Sequence, residues 1–175
     1  MVATEQYIFG YGSLTSFGIG LSARLEDHRR VWGVAMDNRM TIRGYKYYRL
    51  PADGTRPAVF VAFLDMVAEP RTHTDGVLLS VDDATLRSVD RRERNYDRFD
   101  VTASVSDAPG RIWAYRGTQD GRERLRLGRT RGTAVVDRTY RDSVLLGFAE
   151  HGIGDDLDTG GLPLIDLERV DLSSP

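Results

Sequence analysis

The sequence predicts an α+β fold, a mixed, barrel-like β-sheet with a few helices, on three observations. Short apolar runs bounded by turn residues dominate the chain, helical periodicity is confined to two late stretches, and no repeated strand-helix-strand alternation is present. A length of 175 residues suits one domain with a proper core, read as 1–175 with a loop-rich C-terminal tail over 153–175.

Tyr7 to Phe9 reads as a short buried strand stopped by Gly10. Arg30 to Asn38 and Ala58 to Val67 are further strands, with a turn at Pro51 to Gly54 ahead of the second. Asp75 to Val81 is strand-like, and Asp82 or Asp83 caps a helix running through Tyr96. Two alternating segments follow, "FDVTASV" and "RIWAYRG", separated by the turn "DAPG". A last helix starts near Asp137 and stops at Gly152, which suits a glycine just past a helix end. From Gly152 onward the chain reads as Gly/Asp-rich loop.

Composition narrows the chemistry. A formal net charge of −2 gives no reason to expect nucleic acid or an anionic membrane as partner, which leaves a small molecule. The absence of cysteine removes disulfides, thiolate nucleophiles and cysteine-based zinc sites. His28, His73 and His151 are far apart and form no metal-binding pair, and "DDLDTGGLPLID" has Gly160 and Leu167 where a calcium loop needs ligands. No metal is therefore expected. With no leader-like opening and no apolar run long enough to span a bilayer, a cytoplasmic location is the expectation. Nothing in the sequence bears on oligomeric state.

Two features carry chemistry. "FGYGSL" follows the first strand, but Thr15 stands where a dinucleotide fingerprint needs Gly or Ala. No lysine follows the glycines, and Tyr11 and Thr15 flank Ser13 where a nucleophile elbow needs glycines. A tight structural turn and a loop presenting backbone N–H groups to an anion both remain open. The second feature is Glu93, which shares a helical face with Leu86, Val89 and Tyr96. Arg91, Arg92 and Arg94 are displaced by about 100° or more around the axis, toward solvent. A carboxylate unpaired on an apolar face has its pKa raised and suits a general base, whereas a frayed helix or a pairing arginine makes it structural. Tyr115 in "RIWAYRG" and Tyr140 on a stripe with Val144, Gly147 and His151 are read singly as half-buried core tyrosines.

Taken in order, these pieces resemble the γ-glutamylcyclotransferase-like family, which includes AIG-type and ChaC-type proteins. "FGYGSL" is similar to the family's first signature, "DGVLLSVDDATLRSVDRRERNYDRFDV" to its second, "RIWAYRG" to a third and "DRTYRDSVLLGFAEHGI" to the last, from about Tyr7 to about Ile153. The resemblance implies a barrel-like sheet with a cavity at one end. It places the catalytic carboxylate on Glu93 and substrate contacts on Tyr11, Gly12, Ser13, Leu14, Tyr96, Tyr115 and Tyr140. It also implies cofactor-free cyclisation of a γ-glutamyl compound to 5-oxoproline with release of an amine or amino acid. A protein that keeps the pocket and only binds γ-glutamyl compounds is the alternative.

Overall fold

The nine strands of the described residues are β1 (Gln6–Gly10), β2 (Leu21–Asp37), β3 (Lys46–Arg49), β4 (Phe60–Val81), β5 (Tyr96–Asp100), β6 (Arg111–Gly117), β7 (Ala134–Asp137), β8 (Leu164–Ile165) and β9 (Glu168–Asp171). The helices are α1 (Asp83–Arg92), α2 (Gln119–Thr130) and α3 (Arg138–Glu150), with 3-10 turns at Ser13–Ser16 and Thr102–Ser104. The structure, a computed structural model, describes residues 5–172. The α+β class is as the sequence predicts.

Strand β1 lies inside the sheet, parallel to β6 on one side and antiparallel to the second half of β4 on the other. The sheet order is β5-β6-β1-β4-β7-β8, with β2 pairing to β4 as a branch, and β3 and β9 form a separate two-stranded ladder. The sheet is mixed, and its pairings close no barrel among the described residues. No helix of the described residues is long and apolar enough to cross a membrane.

Three element boundaries differ from the sequence expectation. Strand β2 begins at Leu21, and β4 runs unbroken from Phe60 to Val81. Their middle stretches are largely exposed and bulged, with a register shift between Glu26 and His28 and Asp27 at φ 57, so no burial alternation marks them. Helix α1 is capped by Asp82, whose carboxylate accepts from the Thr85 N–H at 2.7 Å, but it ends at Arg92. Asn95 pulls the chain out of the helix: its carbonyl accepts from the Thr118 N–H at 2.8 Å and its side chain from Arg124 at 2.9 Å, which starts β5 at Tyr96. Helix α2 is absent from the sequence expectation. Gly121 and Gly128 lower its intrinsic propensity, yet a Cβ on Gly128 would stand 2.9 Å from the Cβ of Phe60, so the helix lies close on the sheet because glycine is there.

Helix α3 starts as expected, with Asp137 accepting from the Thr139 and Tyr140 N–H groups, and stops before Gly152 at φ 66. The stretch after it is tied down more firmly than a loop reading suggests. It holds β8 and β9, buries Leu157, Leu162 and Leu167, and accepts from the Trp32 indole at the Asp158 carbonyl. Residues 173–175 of the expected tail lie outside the described residues.

The core is three clusters, centred on β1, β2 and β4, on Val34, Tyr48 and Phe63, and on Ile8, Leu14, Leu86 and Tyr115. Tyr140 packs against the first two and Tyr96 against the last two. Where those tyrosines meet, the interior is open.

Candidate active site

After Gly10 the chain leaves the sheet and turns at once into the 3-10 turn Ser13–Ser16. Tyr11 is buried, and its hydroxyl donates to the Tyr115 carbonyl at 2.5 Å. Its own carbonyl accepts from Arg30 Nε at 2.7 Å, while the same guanidinium reaches Asp155 and the Asp75 carbonyl and lies over the Phe148 ring. The Gly12 carbonyl is held by the Thr15 N–H at 3.0 Å and its hydroxyl at 2.7 Å. The first N–H groups of a 3-10 turn have no acceptor within it, so those of Ser13 and Leu14 are left for another partner.

That loop forms one wall of a narrow cavity of about 30 Å³. Tyr11, Gly12, Ser13, Leu14, Glu93, Tyr96, Tyr115 and Tyr140 all line it, with Leu64 between them. The structure thus brings together every residue placed in the site by the sequence, from the loop after β1, the end of α1, β5, β6 and α3. A Cβ on Gly12 would lie 3.4 Å from Leu64 Cδ1 and 3.6 Å from the Tyr140 hydroxyl, so glycine leaves that space open.

The tyrosines are not equivalent. Tyr96 donates to the Leu64 carbonyl at 2.6 Å, and Tyr115 donates to Asp90 Oδ1 at 2.7 Å. The donor of each is thereby committed, leaving an acceptor for a ligand. Tyr140 meets the Phe63 ring edge-on at 5.1 Å. Burial pushes all four phenols, with Tyr11, above the ordinary tyrosine range, and nearby carboxylates push Tyr11, Tyr96 and Tyr115 the same way. For Tyr140 the Leu64 backbone and the Ser13 hydroxyl partly oppose the rise. The phenols are therefore neutral hydrogen-bonding groups at ordinary pH.

Glu93 is the residue on which sequence reasoning is half corrected. It caps the C-terminal end of α1 rather than lying within the helix, with φ −83 and ψ 58. Nor is it left unpaired: Arg92, expected toward solvent, donates to Oε1 from Nη2 at 2.9 Å and from Nε at 3.2 Å. The same guanidinium lies over the Phe17 ring at 4.3 Å, which spans the gap between α1 and the 3-10 turn. Glu93 Oε2 has no partner among the described residues.

Beside the cavity is a larger cleft of about 510 Å³, which shares Ser13, Glu93, Tyr96 and Tyr140 with it. Strand β3 with the turn before it, and strand β9, supply much of its far side, including Tyr45, Lys46, Arg169 and Asp171. Burial pushes the Lys46 ammonium down to about 8, Arg169 acting with it and Glu93 and Asp171 against it. Asp137, the cap of α3, is also on this wall, and burial raises its carboxyl above the usual range.

Sequence reasoning missed Leu64, Lys46, Asp90 and Arg30. Asp90 was visible as an acidic residue on the helix face next to Glu93, and Arg30 as a charge opening an apolar run. Lys46 gave a weaker signal, a lone lysine among the tyrosines of "GYKYYRL".

The loop, the carboxylate and the enclosing tyrosines define a small-molecule site on an α+β scaffold, and the comparisons agree with that class. The profile of one family, described as "Gamma-glutamyl cyclotransferase, AIG2-like", matches residues 8–131. The chain belongs to this family. Among solved structures, one described as a gamma-glutamyl cyclotransferase is 14% identical at a TM-score of 0.53, over 85% of this chain and 81% of the other. An uncharacterised protein from Homo sapiens, loc79017, is 16% identical at 0.59, over 93% and 90%. A yeast gamma-glutamyl cyclotransferase described as specific to glutathione is 13% identical at 0.56, over 90% and 92%. At such identities these share the fold. No curated protein matches the chain.

Proposed function

We propose that the protein is a γ-glutamylcyclotransferase that closes a γ-glutamyl compound on itself to 5-oxoproline and releases an amine or amino acid. The observation that carries this reading is the convergence on one cavity of the Tyr11–Leu14 loop, the Glu93 carboxylate and the phenols of Tyr96, Tyr115 and Tyr140. Family membership and the resemblance of "FGYGSL" and the Glu93 block support the same reading.

In this mechanism the α-amine attacks the γ-carbonyl carbon within one molecule. Its ring-closed conformer has to be held, and a pocket that does so supplies a large share of the rate. Glu93 takes the proton that frees the α-nitrogen lone pair. The new C–N bond forms, charge gathers on the carbonyl oxygen, and the N–H groups of the 3-10 turn stabilise it. As the old C–N bond breaks, Glu93 hands a proton to the departing nitrogen, and the second ring-nitrogen proton follows by the same carboxylate, which ends ionised. Tyr96, Tyr115 and Tyr140 hold the glutamyl portion, Tyr96 and Tyr115 through their acceptor lone pairs. No metal or organic cofactor enters any step.

The test is 5-oxoproline release, followed by mass spectrometry, from glutathione, γ-glutamyl amino acids and γ-glutamyl amines. Glu93→Gln keeps the shape and an acceptor for Arg92 but cannot take a proton, and the expected loss in turnover is roughly 10²–10⁴-fold. Full turnover by that variant removes Glu93 as the base. Binding without product across the panel makes the protein a γ-glutamyl binding protein instead.

A further inference from the structure

Seven charged side chains line the larger cleft, and most are already answered. Arg92 is paired with Glu93, and Arg169 with Asp171 at 2.7 Å. Asp137 accepts from the backbone N–H groups of Thr139, Tyr140 and Leu167. Two cations are left: neither Lys46 nor Arg94 makes an ion pair among the described residues. The Lys46 ammonium lies 4.3 Å from the Phe63 ring centroid and 5.6 Å and 5.8 Å from those of Tyr45 and Tyr48. Arg94 lies 5.7 Å from the same Tyr45 ring, with only a 3.4 Å contact to the Arg43 carbonyl. A partly desolvated cation against aromatic faces is poorly compensated until an anion joins it, and the lowered proton affinity of Lys46 has that cause.

The two cavities divide the residues in a way that orients a substrate. Tyr11, Gly12 and Leu14 line only the narrow one, Lys46 and Arg94 only the cleft, and Glu93, Tyr96 and Tyr140 both. A scissile amide set at Glu93 therefore has its glutamyl half toward the loop and its leaving half toward the cations. From this geometry we infer that the cleft takes a leaving group bearing a carboxylate, bound by Lys46 with Arg94 adding positive potential, so that γ-glutamyl amino acids or peptides are preferred over γ-glutamyl amines. The inference rests on the proposed cyclotransferase reading for its orientation. The cleft's volume falls in the range usual for small-molecule sites and admits an amino acid or short peptide.

The experiment compares γ-glutamyl-alanine with γ-glutamyl-alaninamide, which differ only in that charge. Binding to Glu93→Gln is measured by calorimetry and kcat/KM with the wild type. The acid is expected to bind at least tenfold more tightly. Lys46→Met should abolish that preference by weakening the acid alone, and Lys46→Arg should retain it, with thermal unfolding confirming that both variants fold. Equal affinity for acid and amide overturns the inference, as does a Lys46→Met effect equal on both, which would assign Lys46 to the glutamyl carboxylate they share. A binding preference for the acid without any 5-oxoproline upholds the cleft's role and rejects the cyclotransferase reading. Product formation without preference does the reverse, and binding of neither compound rejects both.

Discussion

At Lys46, burial and electrostatics make a claim that a titration can check. Its ammonium is pushed from the ordinary 10.5 down to about 8, by burial first and by Arg169 and Arg92, with Glu93 and Asp171 opposing. Below about pH 8 the lysine is charged in both folded and unfolded chains, and the fold carries the whole penalty. Between about 8 and 10.5 the folded chain has released the proton and the unfolded chain has not, so Lys46's contribution to stability rises with pH across that window and is flat above it. Lys46→Met should thus stabilise the ligand-free protein more at pH 7 than at pH 10, measured as the difference in urea unfolding free energy, where the other titrating groups cancel. A difference that does not change with pH would mean that Lys46 is well solvated. Residues of this kind explain what was legible. Glu93 could be found because its spacing from Leu86 and Val89 set a carboxylate against apolar neighbours, even though the helix stops one residue short of it. Lys46 could not, because the ring nearest its ammonium, Phe63, comes from β4, in the other sheet and 17 residues along the chain.

The elements show a similar division between local and distant causes. Caps at Asp82 and Asp137 are readable because a side chain answers N–H groups two or three residues away. Helix α2 and the long strands β2 and β4 are not, since what fixes them is packing that overrides local propensity. The contact between α3 and the 3-10 turn is the one on which the site depends. A Cβ on Gly147 would stand 2.5 Å from Thr15 Oγ1 and 2.6 Å from Ser16 Oγ, and Thr15 is the residue that fixes the Gly12 carbonyl. His151, at the end of the same helix, adds a 3.1 Å contact from its ring to the Thr15 carbonyl. Gly147→Ala should therefore cost about 1–3 kcal/mol by overpacking and raise KM as the loop is pushed from the cavity. Leu146→Ala, one position along and 64% exposed, is the control and should stay within about 0.5 kcal/mol. Equal effects in urea unfolding would show that α3 does not set the loop.

Across the whole molecule, the fold class was readable from apolar runs and turns, whereas the open edge of the sheet depends on pairings between strands far apart in sequence. One visible irregularity, an aspartate inside the apolar run "AVFVAFLDMV", marks the point where these parts are joined. Asp65 is fully buried on β4. Its Oδ1 accepts from its neighbour Met66 at 2.7 Å and from the Gly117 N–H, at the end of β6, at 2.6 Å, while Oδ2 pairs with Arg122 of α2 at 2.8 Å. The next residue back, Leu64, lines the cavity and receives the Tyr96 hydroxyl, so the node that binds β4, β6 and α2 adjoins the wall of the site. Asp65→Ala leaves the Gly117 N–H without its partner in a dry interior, and Arg122, whose side chain is 45% exposed, regains water in part. The expected cost is about 3 kcal/mol, toward the lower end for breaking a buried pair because of that rehydration. Arg122→Ala at the same node leaves Asp65 its two backbone donors and should cost less than Asp65→Ala. Urea unfolding of the two variants decides the matter: if the arginine change proves the more damaging, the two backbone donors do not compensate the buried Asp65 carboxylate once Arg122 is gone.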